Sequence, residues 1–159
     1  VEDQFMNAIK FEDLLVELLR SFKESSKKTL KLNSTKDMNK IKIKRSPEII
    51  YGLRNFIGNA VKFSRKGVKI ILESNDNYIS ITINDDGPGY PDDVIKLVGE
   101  PYIKSKSKKV NSKAGLGLGT FLGKTLLERQ GARLNFSNNQ DFGASVRIVW
   151  ETKSLISTS

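Results

Sequence analysis

Asn55-Phe56-Ile57-Gly58-Asn59-Ala60-Val61-Lys62-Phe63-Ser64 sets two asparagines four residues apart and a lysine three beyond the second. On a helix these three side chains share one face. Asparagine is a mediocre helix former, so two on one mid-helix stripe need a reason. They could be solvated or bonded back to their own helix. They could also do chemistry: an amide oxygen suits a hard cation such as Mg²⁺, and a lysine suits a phosphate.

Reading outward, Ser46-Pro47-Glu48 is a helix start, with a capping hydroxyl, proline in the first turn and an acid favoured by the dipole. The helix so begun runs to about Ser64. Upstream, Phe11, Leu14, Leu15, Leu18, Leu19 and Phe22 recur at helical spacing and predict an amphipathic helix over 11–25. Residues 29–34 and 41–45 alternate as half-buried strands do. Downstream, 68–74 and 78–84 are alternating strands joined by Asn75-Asp76-Asn77. A glycine turn at 86–89, a short helix at 92–98 and a polar, lysine-rich loop over 99–114 follow. A helix over 117–130 stops at Gly131. Strands at 133–138 and 145–151 close the order, and 152–159 reads as a frayed tail. Helices clustered over a mixed, largely antiparallel sheet make an α/β fold, a two-layer α/β sandwich with helices on one face. Residues 1–10 read as the end of an interdomain helix or a linker, and 11–151 as one domain.

Composition narrows the chemistry. The 159 residues contain no cysteine, hence no disulfide and no thiolate nucleophile. They contain no histidine, which removes the commonest general base and any phosphohistidine. No apolar run approaches the roughly 20 residues that span a bilayer, and no signal peptide is visible. A soluble intracellular domain is the expectation. The net charge of +9 fits either a lysine-rich solvated surface or a polyanion partner. Lys104, Lys106, Lys108, Lys109 and Lys113 cluster in the loop.

Two further segments complete the chemistry. Asp85-Asp86-Gly87-Pro88-Gly89 ends a strand. It could be a plain turn. It also suits a purine, with Asp85 accepting from an exocyclic amine and the glycines letting the base approach the backbone. Gly115-Leu116-Gly117-Leu118-Gly119 precedes a helix, where backbone amides can face phosphates. A dinucleotide fingerprint fails, because the required glycine falls on Thr120 or Leu122. A Walker A loop fails, because its first glycine falls on Leu118; Lys124 reads as helix surface.

In order and spacing these segments resemble the histidine kinase branch of the ATPase superfamily that includes DNA gyrase B, MutL and the ninety-kilodalton heat-shock chaperone. Asn55–Ser64 is similar to its N box, Asp85–Gly89 to its G1 box and Gly115–Gly119 to its G2 box. Gly99-Glu100-Pro101-Tyr102 is similar to its F box, the start of an ATP lid. The resemblance covers Phe11 to Glu151. GEPY at 99–102, GLGLGTFLGKTLLERQGA at 115–132 and the terminal VRIVWE are most similar to the RegB/PrrB redox-responsive group. That group's membrane helices and reactive cysteine have no counterpart here. Gly99 replaces the usual first aromatic of the F box, and Gly143-Ala144-Ser145 stands where a Gly-Thr turn is common.

The resemblance implies the ATP-binding (Bergerat) fold, with ATP and Mg²⁺ as cofactors. Asn55, Asn59 and Lys62 would act on the nucleotide, with Asn59 the metal ligand. Asp85 would bind the adenine amino group, directly or through a water. Gly87, Gly89, Tyr102, Lys104 and Lys106, with Gly115, Leu116, Gly117, Leu118 and Gly119, would complete the pocket. Hydrolytic branches carry a glutamate at the Asn55 position; an amide cannot take a proton from water, so hydrolysis should be slow. The implied function is that of a two-component sensor histidine kinase, donating the γ-phosphate to a histidine on a dimerisation domain, and indirectly serving a response regulator. Lacking histidine, the chain cannot phosphorylate itself or its copies, and its start at Val1 favours a fragment. No nucleic acid and no direct membrane contact are expected, and the domain would be cytoplasmic in a kinase anchored in the inner membrane. The alternatives are an anti-sigma-factor-type serine kinase of the same superfamily, a basic nucleic-acid-binding module and a nucleotide-binding pseudokinase.

Overall fold

The structure is a computed structural model and describes residues 8–35, 40–96, 118–139 and 143–156. Seven strands and five helical segments are formed in these stretches. The strands are β1 (Ala8–Lys10), β2 (Thr29–Ser34), β3 (Lys42–Lys44), β4 (Gly67–Ser74), β5 (Tyr78–Asp85), β6 (Arg133–Asn138) and β7 (Ala144–Glu151). The helices are α1 (Phe11–Ser25), α2 (Pro47–Phe63), α3 (Asp92–Ile95), α4 (Leu118–Arg129) and α5 (Thr152–Leu155).

The main sheet has the order β2-β4-β5-β7-β6. β2 runs parallel to β4, while β4–β5, β5–β7 and β7–β6 are antiparallel. Alternation sets its two faces. Val68, Ile70 and Leu72 of β4, Ile79, Ile81 and Ile83 of β5, and Val146, Ile148 and Trp150 of β7 are buried. Between them Lys69, Glu73, Arg147 and Glu151 are exposed. The buried face packs under Leu14, Leu15, Leu18 and Leu19 of α1, Ile49, Leu53, Phe56 and Ile57 of α2, and Leu127 of α4. Each such aliphatic side chain contributes about 1.5–3 kcal/mol on leaving water. The result is the expected two-layer sandwich.

Helix α2 starts as the sequence suggests. The Ile49 N–H donates to the Ser46 hydroxyl at 3.3 Å, with proline in the first turn. Its approach to α4 depends on Gly52, where a Cβ would lie 2.6 Å from Leu127 Cγ.

Two expectations are corrected within the described residues. Of the helix end or linker expected over 1–10, residues 1–7 lie outside the described residues, and Ala8–Lys10 is a strand: Ile9 pairs with Ile43 in an antiparallel ribbon outside the main sheet. The reason is apolar, since Ile43 and Phe11 are fully buried and the Phe11 N–H donates to the Ile41 carbonyl at 3.0 Å. The strand expected over 41–45 forms as Lys42–Lys44 and pairs in this ribbon. The frayed tail is folded through residue 156: Leu155 is buried, Ile156 bridges Ile43, and the Thr152 N–H donates to the Asn77 carbonyl at 2.8 Å.

Candidate nucleotide site

A cavity of about 490 Å³ opens between α2 and the ends of β5 and β7. Phe56, Ala60, Ile83 and Val146 form its apolar wall, and Phe63 and Tyr90 add aromatic rings. Asp85, Asn59 and Thr120 are its polar members. Its volume lies within the usual range for small-molecule sites, and a few convergent polar groups in an apolar pocket is their usual character.

Asp85 is the last residue of β5 and is only 9% exposed. Its Oδ1 accepts from the Gly87 N–H at 2.8 Å and the Ala144 N–H at 3.2 Å. Burial pushes its carboxyl above the usual value. The Gly87 and Ala144 hydrogen bonds oppose this, the Asp86 charge adds to it, and the Lys28 ammonium opposes it.

The glycines around Asp85 are required by contact. A Cβ on Gly87 would collide with the Phe63 carbonyl oxygen. Gly89 has φ +79 and Gly143 has φ +93, in the left-handed region that favours glycine. A Cβ on Gly143 would also strike the carbonyl oxygen of Asp85. Gly143-Ala144 is thus the turn that delivers the Ala144 N–H to the carboxylate.

Tyr90 is held from β6. Its N–H donates to Asn138 Oδ1 at 2.7 Å, and Asn138 Nδ2 donates to its carbonyl at 2.8 Å. Its ring meets Phe136 edge-on, with centroids 6.3 Å apart. Burial, with the Asp85 charge beside it, raises the phenol's pKa and keeps it protonated.

On α2, Asn59 lines the cavity and its Nδ2 donates to the Thr120 hydroxyl at 3.2 Å. That bond leaves the amide oxygen of Asn59 for another partner. Thr120, 1% exposed, reaches Asn59 from the first turn of α4. Asn55 lies one turn earlier, against α4 at Gly119 and Gly123. Its Oδ1 is buried without a hydrogen-bond partner among the described residues. A buried acceptor without a donor is costly, and a cation can relieve it. Lys62 is exposed in the last turn of α2, its Nζ 5.2 Å from the centroid of the Phe63 ring. Lys124 is on the surface of α4 as read, ion-paired with Glu128 at 3.3 Å.

The fold therefore gathers Asn59, Asp85 and Gly89 around one cavity, with Gly87 beneath Asp85, Asn55 behind Asn59 and Lys62 on the neighbouring turn. Gly119 stands in α4 beside Asn55. Leu118 begins that helix. Tyr102, Lys104, Lys106, Gly115, Leu116, Gly117 and the loop over 99–114 lie outside the described residues, as do the last residues of the helix expected over 92–98. Sequence reading missed Thr120, Asn138 and Tyr90, whose roles come from contacts far apart in the chain. Thr120 is one of several polar residues in the Leu118–Arg129 helix, so no local signal set it apart.

Residues 44–154 match the family model described as histidine kinase-, DNA gyrase B-, and HSP90-like ATPase. The chain belongs to this ATPase family. Among its relatives is the sensor histidine kinase RegB of Cereibacter sphaeroides, 40% identical over 130 residues, which cover 72% of this chain and 28% of RegB. The chain thus spans little more than a quarter of that relative's length. The catalytic domain of histidine kinase ThkA superposes with a TM-score of 0.74 at 15% identity, over 91% of this chain and 95% of that one. Full-length ShkA, solved in complex with AMPPNP, superposes with a TM-score of 0.73 at 20% identity, over 95% of this chain and 31% of that one. The two superpositions agree with the fold, the RegB likeness agrees with the histidine kinase branch, and none of them supports the serine-kinase alternative.

Proposed function

We propose that this ATPase domain is the catalytic part of a two-component sensor histidine kinase, binding ATP in the cavity beside Asp85. The observation that carries the reading is the Asp85 carboxylate. One oxygen is fixed by two backbone amides, and the group lines an apolar cavity sized for a base. A carboxylate so held accepts from the exocyclic amine of adenine, while Phe63 and Tyr90 give the ring apolar surface. ShkA, which shares the fold, was solved with an ATP analogue.

The phosphates would extend toward Asn59, Asn55 and Lys62. Asn59 Oδ1, with the orphaned Oδ1 of Asn55 beside it, would hold Mg²⁺, which supplies charge neutralisation at the triphosphate. Neither amide can take a proton from water, so the site positions ATP and does not hydrolyse it efficiently. The acceptor is an imidazole on a separate dimerisation domain. Its nitrogen lone pair forms the new N–P bond as the bond from γ-phosphorus to the bridging oxygen breaks, and ADP leaves with that electron pair. The chain has no histidine, so the acceptor comes from elsewhere. The phosphate would then pass to a response regulator. A cytoplasmic position fits, and among the described residues no helix is long and apolar enough to cross a membrane.

The test is transfer. Incubated with γ-labelled ATP and Mg²⁺, the chain alone should take up no acid-labile, base-stable label. With the histidine-bearing dimerisation domain of its kinase, label should appear there. Label on a serine of an added partner would replace this reading with the anti-sigma-type one.

A further inference from the structure

The turn that leaves α2 carries Lys62 and Phe63 and supports Gly87, yet it is the end of a helix whose last carbonyls have no partner within it. Lys28, from the short segment before β2, supplies those partners. Its Nζ donates to the carbonyl oxygens of Val61 at 2.6 Å, Ser64 at 2.8 Å and Lys62 at 3.4 Å. The Ser64 hydroxyl donates to the same Val61 carbonyl at 2.8 Å. The neighbouring main chain continues the attachment, the Thr29 N–H donating to the Lys66 carbonyl at 2.9 Å. A cation at a helix C-terminus is also favoured by the dipole.

We propose that Lys28 is a positioning residue for the adenine site: its ammonium closes the C-terminus of α2 and so fixes Phe63 against the base and the Phe63 carbonyl under Gly87. This rests on the reading of the cavity as an adenine site. Lys28 touches no part of the cavity and acts through the turn it caps. Its charge has a second consequence, because it lowers the Asp85 carboxyl against the effect of burial. Removing the ammonium loosens the wall of the pocket and makes Asp85 easier to protonate.

The test is calorimetric titration of the 159-residue chain with ADP, from pH 5 to pH 8, for wild type, K28M and K28R. K28M keeps most of the apolar stem and loses the donor. It should bind ADP about tenfold more weakly at pH 8, a cost of about 1.4 kcal/mol for ordering on binding a turn that the ammonium no longer holds. Its affinity should also fall off at higher pH than that of wild type on acidification. K28R keeps the charge and should restore the acid limb and most of the affinity. A folded K28M with wild-type affinity and an unmoved acid limb would overturn the proposal while leaving the adenine site intact. A wild-type chain that binds no ADP would remove the adenine site and the role of Lys28 together. Should K28M not fold, the ammonium protons of Lys28 in wild type decide. Slow exchange with water, slower still with ADP, is the expected result, and free exchange in both states would overturn it.

Discussion

Asp85 and Asp86 are consecutive, and their carboxyls are shifted in opposite directions. Asp85 faces inward and accepts from two amides, with burial as the dominant influence. Asp86 turns to the loop after α2, where its oxygens accept from the N–H groups of Arg65 at 2.7 Å, Lys66 at 3.0 Å and Gly67 at 3.2 Å. Burial alone would raise Asp86, but these bonds together outweigh it and lower it. One carboxyl lines the cavity and its neighbour holds the loop after α2.

For Asp85 the consequence is a pH limit on binding. The carboxylate that would accept from adenine on the proposed reading is present above the folded-state pKa and lost as pH falls through it. That pKa is raised, so ADP affinity should begin to fall on acidification above the ordinary aspartate range near 3.8. Titration of ADP across pH 4–8 checks this, with adenine-free triphosphate as the comparison for general acid effects. The same shift means that ionised Asp85 costs stability, a cost that fades as pH falls.

For Asp86 the sign is reversed. Its lowered pKa contributes stability that is fully present above the unfolded value of 3.8 and is lost as pH falls through the folded one. Asp86→Asn should cost about 1–2 kcal/mol at neutral pH, since three amides exchange a charged acceptor for a neutral one. It should also flatten the acid side of the melting temperature plotted against pH.

Gly143→Ala should cost at least about 2 kcal/mol, combining a left-handed backbone with a collision at the Asp85 carbonyl. It should weaken ADP as well, because the Ala144 N–H that holds Asp85 sits on the same turn. Urea unfolding and ADP titration on one preparation separate the two effects.

Thr120→Val keeps the shape and removes the hydroxyl that accepts from Asn59. It should weaken Mg²⁺-dependent ATP binding about three- to tenfold, on the scale of one hydrogen bond, and Mg²⁺-free binding less. Asn59→Ala should show the same asymmetry more strongly. Equal losses with and without metal would take both residues out of the metal site.

Local pattern carried most of the fold. Period-two alternation marked β4, β5 and β7, and Ser46-Pro47 marked the start of α2, because these signals lie within a few residues. The helical stripe of Asn55, Asn59 and Lys62 and the glycine turn after Asp85 were visible for the same reason. What escaped was long-range. The Asn138 clamp on Tyr90 joins residues 48 apart, and the Asn59–Thr120 bond joins residues 61 apart. The strand at Ala8–Lys10 has three residues, too few to show a period, and exists because Ile43 offers it a buried partner. The parallel partnership of β2 with β4 could not be read from alternation, which is blind to strand direction.

The most direct measurement is calorimetric titration of wild type and Asp85→Asn with ADP, and with adenine-free triphosphate, at pH 8. Wild type should bind ADP. Asp85→Asn should remain folded, bind ADP about ten- to a hundredfold more weakly, on the scale of one hydrogen bond to a charged group, and bind the adenine-free triphosphate as wild type does. Wild-type ADP affinity in a folded Asp85→Asn would contradict the account, and would leave Asp85 as a turn residue beside a cavity that serves some other ligand.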